Sequence, residues 1–188
     1  MYHVSMPGYI EKVLARYVHL RPSEPQLSPH NHPPISYGTK TQQPAAPNSR
    51  PPLDADGIKC IQGIVGNLFW YGLVVDNKLL VALSIIGSQQ AAATEATADA
   101  IHQLLNYVAT YPNNGITYCA SDMVLAEHSD AGYLNYTCVC SHAGAHIFLF
   151  EDEPMPKHNG PILTIADIIK FVMYSSTKSK LSAPCLSP

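Results

Sequence analysis

Between Pro22 and Pro52 the chain carries nine prolines in 31 residues, at 22, 25, 29, 33, 34, 44, 47, 51 and 52, with Ser, Gln and Asn between them. Each proline removes a backbone N–H and holds φ close to one value, so neither a helix nor a sheet ladder can run through this stretch. It reads as an extended linker, or as a strap laid over another surface. His30 and His32 stand inside it without a nearby Cys or carboxylate, which favours solvated imidazoles over a metal site. The residues on either side must therefore build whatever core exists.

On the N-terminal side, Ser5 offers a helix cap and Pro7 suits a first turn. Ile10, Val13, Leu14, Tyr17 and Val18 then recur at the spacing of one helical face, predicting a helix that ends before Pro22. On the C-terminal side, Asp54 caps a second helical pattern with Ile58, Ile61, Ile64, Val65, Leu68 and Phe69 on one side. Gly63 and Gly66 would let a neighbour approach this helix closely. They are not a phosphate loop, because no Gly-Lys-Ser/Thr follows. Leu79 to Gln90 predicts a third helix. Thr94 caps a fourth, whose buried stripe is Ala98, Ile101, Leu104, Leu105 and Val108.

After Asn113-Asn114-Gly115, a turn signal, the pattern changes to short apolar runs split by turn residues: Ile116 to Ala120, Met123 to Ala126, Ala145 to Phe150 and Ile162 to Ile165. These predict strands. In this reading Asp130, in HSDAGY, falls in a turn at the end of one of them. Ser175-Ser176-Thr177 offers N-cap chemistry for a short final helix through Leu181.

Charged residues make up 13% of the chain against a norm of about 25%. Net charge is −3 with 14 acidic and 11 basic side chains, so no basic footprint advertises phosphate binding. Five cysteines form an odd set and MYHVSMPGY lacks the apolar run of a signal peptide, which points to a reduced intracellular setting. The longest apolar run, Leu79 to Ile86, is far short of a membrane span, so no membrane partner is expected.

Four side-chain groups compete for a functional reading. Cys138, Cys140, His142 and His146 have the composition of a zinc site, but in extended chain alternate side chains lie ~6.8 Å apart. Ligands around tetrahedral zinc must sit closer than that, so only a tight turn at Ser141 or Gly144 could bring them together. Glu151-Asp152-Glu153 abuts Pro154 and Pro156 and reads as a solvated loop. Trp70 and Tyr71, inside an apolar helix, read as core rather than as a base-stacking platform. The fourth is Asp130.

Several blocks in order resemble one family. VGNLFWYGLVVDN, LLVALS and HQLLNYVATYPNNGITY are similar to the segment that joins polymerase to nuclease in reverse transcriptases of copia-type retrotransposons. MPGYIEKVLARY suits the helix after the polymerase core. HSDAGY resembles the Ser-Asp-Ala-Asp-Trp signature on the first strand of the family's ribonuclease H domain, and PILTIADIIKFVMYSSTKSKL the block ending Leu-Ser-Ser-Thr-Glu-Ala-Glu-Tyr. The resemblance implies an α+β chain: a polymerase-proximal helix over 1–21, the Pro-rich linker over 22–52, a helical connection over 53–112, a partial ribonuclease H-like mixed sheet over 113–183 and a tail over 184–188.

The parent activities are RNA-directed DNA synthesis and magnesium-dependent hydrolysis of RNA in RNA/DNA hybrids. Such nucleases hold two magnesium ions on a set of carboxylates. Asp130 matches the first of these, while Lys178 and Lys180 stand at family acids. An ammonium offers magnesium no lone pair and repels it, so a vestigial, weak metal contact at Asp130 is the most the site would keep. The remaining acids are expected beyond residue 188 and the polymerase aspartates before residue 1. The expectation is a catalytically inactive remnant with no cofactor of its own. Its partners would be a related reverse transcriptase or an RNA/DNA hybrid, bound weakly, with self-association through an exposed strand edge.

Overall fold

The computed structural model describes residues 1–31, 49–132, 141–152 and 159–169. They fall into two compact units: residues 1–31 with 49–120, and a second whose described part is 121–132, 141–152 and 159–169. Together they are an α+β chain. Among the described residues there are four α-helices and two small sheets.

In the first unit β1 (Tyr2–Ser5) leads into α1 (Tyr9–Arg16), and α2 (Ala55–Val74), α3 (Leu80–Gln89), α4 (Glu95–Thr110) and β2 (Gly115–Tyr118) follow. Ser5 does not cap α1. It ends β1, and the chain enters the helix through Gly8 at φ 75°, a left-handed conformation that glycine adopts without steric cost. The strand itself pairs antiparallel with β2, Tyr2 opposite Tyr118 and Ser5 opposite Gly115. The run at Ile116 thus finds its partner at the N-terminus.

The helices start and stop where local chemistry dictates. The Asp54 carboxylate accepts a hydrogen bond from the Gly57 N–H at 2.8 Å, opening α2. At α4 the Thr94 N–H donates to the Thr97 hydroxyl at 3.2 Å. Ile10 and Val13 of α1 join Ile61, Ile64 and Leu68 of α2, Leu83 and Ile86 of α3, and Leu104 and Val108 of α4 in one continuous core. α2 is apolar on nearly every side, and the core does not cover all of it: Phe69, Trp70 and Leu73 remain exposed.

The buried carboxylate Asp76 ties the end of α2 to the turn before β2 by accepting from the Asn114 side-chain amide. Burial, helped by the Asp76 charge, pushes the Tyr71 phenol up to about 12 and also raises Tyr107. The tyrosine hydroxyls therefore stay protonated beside the carboxylate at neutral pH.

The first part of the Pro-rich stretch is a strap on α4. The Gln26 N–H donates to the Thr110 hydroxyl at 3.0 Å and the Gln103 side-chain amide to the Ser28 carbonyl at 3.2 Å. At its other end, Leu53 N–H donates to the Ala93 carbonyl at 2.9 Å, and Arg50 pairs with Glu95 and Asp99 on α4. Residues 32–48, with His32, lie outside the described residues.

The second unit is a three-stranded meander, β3 (Val124–Gly132), β4 (Ser141–Phe150) and β5 (Pro161–Ile169), in the order β3-β4-β5. The expected mixed sheet is, over the described residues, antiparallel throughout. The strands also run past their apolar runs, because each added residue gains ladder hydrogen bonds whatever its side chain. Ala131, Ala143 and Ile169 bury one face. The predicted helix from Ser175 to Leu181 lies outside the described residues.

Candidate functional site

Asp130 does not occupy a turn. It lies within β3, directly opposite Gly144 of β4, which is itself opposite Ala166 of β5. Directly opposed residues share a face of the sheet. One face therefore carries, row by row, His128–His146–Thr164, then Asp130–Gly144–Ala166, then Gly132–His142–Ile168. Asp130 is exposed, and glycine and alanine beside it contribute no ligand atoms from their side chains.

The His128 and His146 rings both rest against Phe148, each with centroids 5.3 Å from it. Phe148 is fully buried, so it is a fixed platform for the two imidazoles. His142, one row beyond Asp130, is more deeply set. Burial pushes its imidazole below the ordinary histidine value, against the opposing pull of the Asp167 charge.

Chemically, this face offers one carboxylate and a set of imidazoles. Among the described residues no three His, Cys, Asp or Glu side chains gather closely enough to hold a metal ion. Two-metal hydrolysis needs several carboxylates converging on two cations. Lys178 and Lys180 lie outside the described residues.

Ser141 and Gly144, where a tight turn would have been needed to gather zinc ligands, are both inside β4. His142 and His146 are four residues apart on that extended strand, ~13.6 Å, far beyond chelation by one ion; Cys138 and Cys140 lie outside the described residues. Glu151 and Asp152 are exposed, as expected of a solvated loop, and Glu153 lies outside the described residues. Tyr71 is core, 1% exposed, but Trp70 is not: at 56% exposed it faces outward on α2.

A constellation in the first unit escaped sequence reasoning. His19, just past α1, places Nε2 2.8 Å from Oδ1 of Asn106 on α4, and Nδ2 of the same Asn106 lies 3.2 Å from Nδ1 of His102. The two imidazoles are 4.9 Å apart between centroids and inclined at 66°. His102 and Asn106 stand at i and i+4 on one helix, a spacing visible in the sequence; His19 is 87 residues from Asn106, and nothing local signals that it joins them.

No protein-family profile, no curated protein and no solved structure matches this chain. Among the described residues no helix is long and apolar enough to cross a membrane.

Proposed function

We propose that this chain is a non-catalytic remnant of a copia-type reverse transcriptase/ribonuclease H, carrying the helical connection and the opening strands of the nuclease domain. The reading is supported above all by one observation. Asp130 sits on the first strand of an antiparallel meander that follows a helical unit, the order the family resemblance implies. The sequence supplies the reason for inactivity: lysines at 178 and 180 where the family has acids. A lysine in place of a family acid offers magnesium no lone pair and adds a like charge.

The test is cleavage of a labelled RNA/DNA hybrid with magnesium or manganese. The unaltered chain should give no cleavage above background, and Asp130→Asn should change nothing. Metal-dependent cleavage that disappears in Asp130→Asn would sink this reading.

A second reading, a module that docks on a related reverse transcriptase or on nucleic acid, is favoured by the outward-facing Phe69, Trp70 and Leu73 of α2. Capture of purified reverse transcriptase by the chain, lost in Trp70→Ala, would select it.

A further inference from the structure

We propose that His19, His102 and Asn106 form a binding site for a divalent transition-metal ion of the zinc, nickel and copper class. Two ring nitrogens, His19 Nε2 and His102 Nδ1, approach the same carboxamide at 2.8 and 3.2 Å. The two rings lie 4.9 Å apart between centroids, so both imidazoles border the volume that the carboxamide occupies. An ion bonded to imidazole at ~2.0–2.1 Å takes that volume when the Asn106 side chain rotates aside, and its oxygen then serves as a third donor. Imidazole nitrogen selects zinc, nickel and copper over magnesium and calcium, which prefer oxygen.

The surroundings hold the donors in place. His102 and Asn106 sit one turn apart on α4, the helix on which the strap is laid. His19 follows the C-terminal turn of α1, in which Val18 takes the left-handed conformation, φ 53°, that commonly ends a helix. The His19 N–H is anchored by donating to the Leu14 carbonyl at 2.9 Å. An ion here would join the segment just past α1 to α4.

The experiment is a calorimetric titration of Zn²⁺ into the full chain, with thermal melts at rising zinc. Zinc should saturate a first, tight equivalent and raise the Tm progressively. His19→Ala and His102→Ala should each weaken that equivalent by at least the roughly tenfold that loss of even a supporting partner costs at metal sites. Asn106→Asp, which supplies a charged oxygen of the same size, should tighten it, while His128→Ala and His146→Ala in the second unit should leave it unchanged. Far-UV circular dichroism without zinc checks that each variant folds, and if an alanine variant does not, Asn106→Asp carries the test alone. No saturable binding, affinity unmoved by Asn106→Asp, or a site abolished by His128→Ala rather than His19→Ala would overturn the proposal.

Discussion

Tyr71 shows how one buried polar residue sets a pH limit on the first unit. Its hydroxyl is held near about 12 by burial and by Asp76, while in the unfolded chain it titrates at the ordinary 10.0. The folded value is the higher, so the stabilisation is complete below pH 10 and is lost as pH rises toward 12. The gap between folded and unfolded values corresponds to a loss on the order of 2 kcal/mol. Tyr71→Phe should therefore flatten the fall in urea midpoint between about pH 8 and pH 11, the range that leads into and crosses the ordinary phenol value. Part of the fall will remain, because Tyr9 and Tyr107 are raised by burial as well. An equal fall in variant and parent would show that Tyr71 is not the group that titrates.

Among the elements, α2 is the one whose surroundings vary most along its length. Its first turn is capped by Asp54, its middle packs on α3 and α4, and at Gly63 the side chain of Tyr17 comes close. A Cβ at Gly63 would lie 2.7 Å from the Tyr17 hydroxyl oxygen but 3.6 Å from the ring carbon bearing it. The conflict is therefore with one oxygen atom. The same hydroxyl accepts from Asn67 at 3.0 Å, which restricts its escape. Gly63→Ala should be neutral or destabilising in the parent. In a Tyr17→Phe background it should stabilise by about 0.5–1 kcal/mol, the helix-propensity difference between alanine and glycine. Denaturant melts of the four chains close the cycle, and additive effects would rule out this contact.

For the molecule as a whole, sparse charge and uncovered apolar surface act together. With 13% charged residues and a net charge of −3, little repulsion keeps copies apart, and less still as pH approaches the isoelectric value of about 6.3. Trp70 at 56% and Leu73 at 42% exposure form one apolar patch on α2 that association would cover. Light scattering should therefore rise as pH is lowered from about 8 toward 6.3. The pair Trp70→Lys with Leu73→Glu should raise the concentration at which association begins by about tenfold, equivalent to ~1.4 kcal/mol. Scattering unchanged by the pair would place association elsewhere.

Helix positions are legible in the amino-acid order because their causes are local. Asp54 and Thr94 open helices with their own side chains or backbone, and the 3.6-residue spacing of Ile61, Ile64, Val65 and Leu68 names the face that is buried. The strands of the second unit can be placed from sequence but not bounded: Ser-Asp-Ala reads as a turn by propensity, yet pairing with β4 carries the ladder through Asp130 to Gly132. Ser5 reads as a cap for the same reason, since its partner in the sheet, Gly115, is distant in the chain. Thus the amino-acid order alone determined the four helices of the first unit and the approximate places of the strands after Asn114. The tertiary structure alone decided which strands meet, that Trp70 faces outward, and that His19, His102 and Asn106 converge, because each depends on contacts between residues far apart in the chain, whose pairing no local preference encodes.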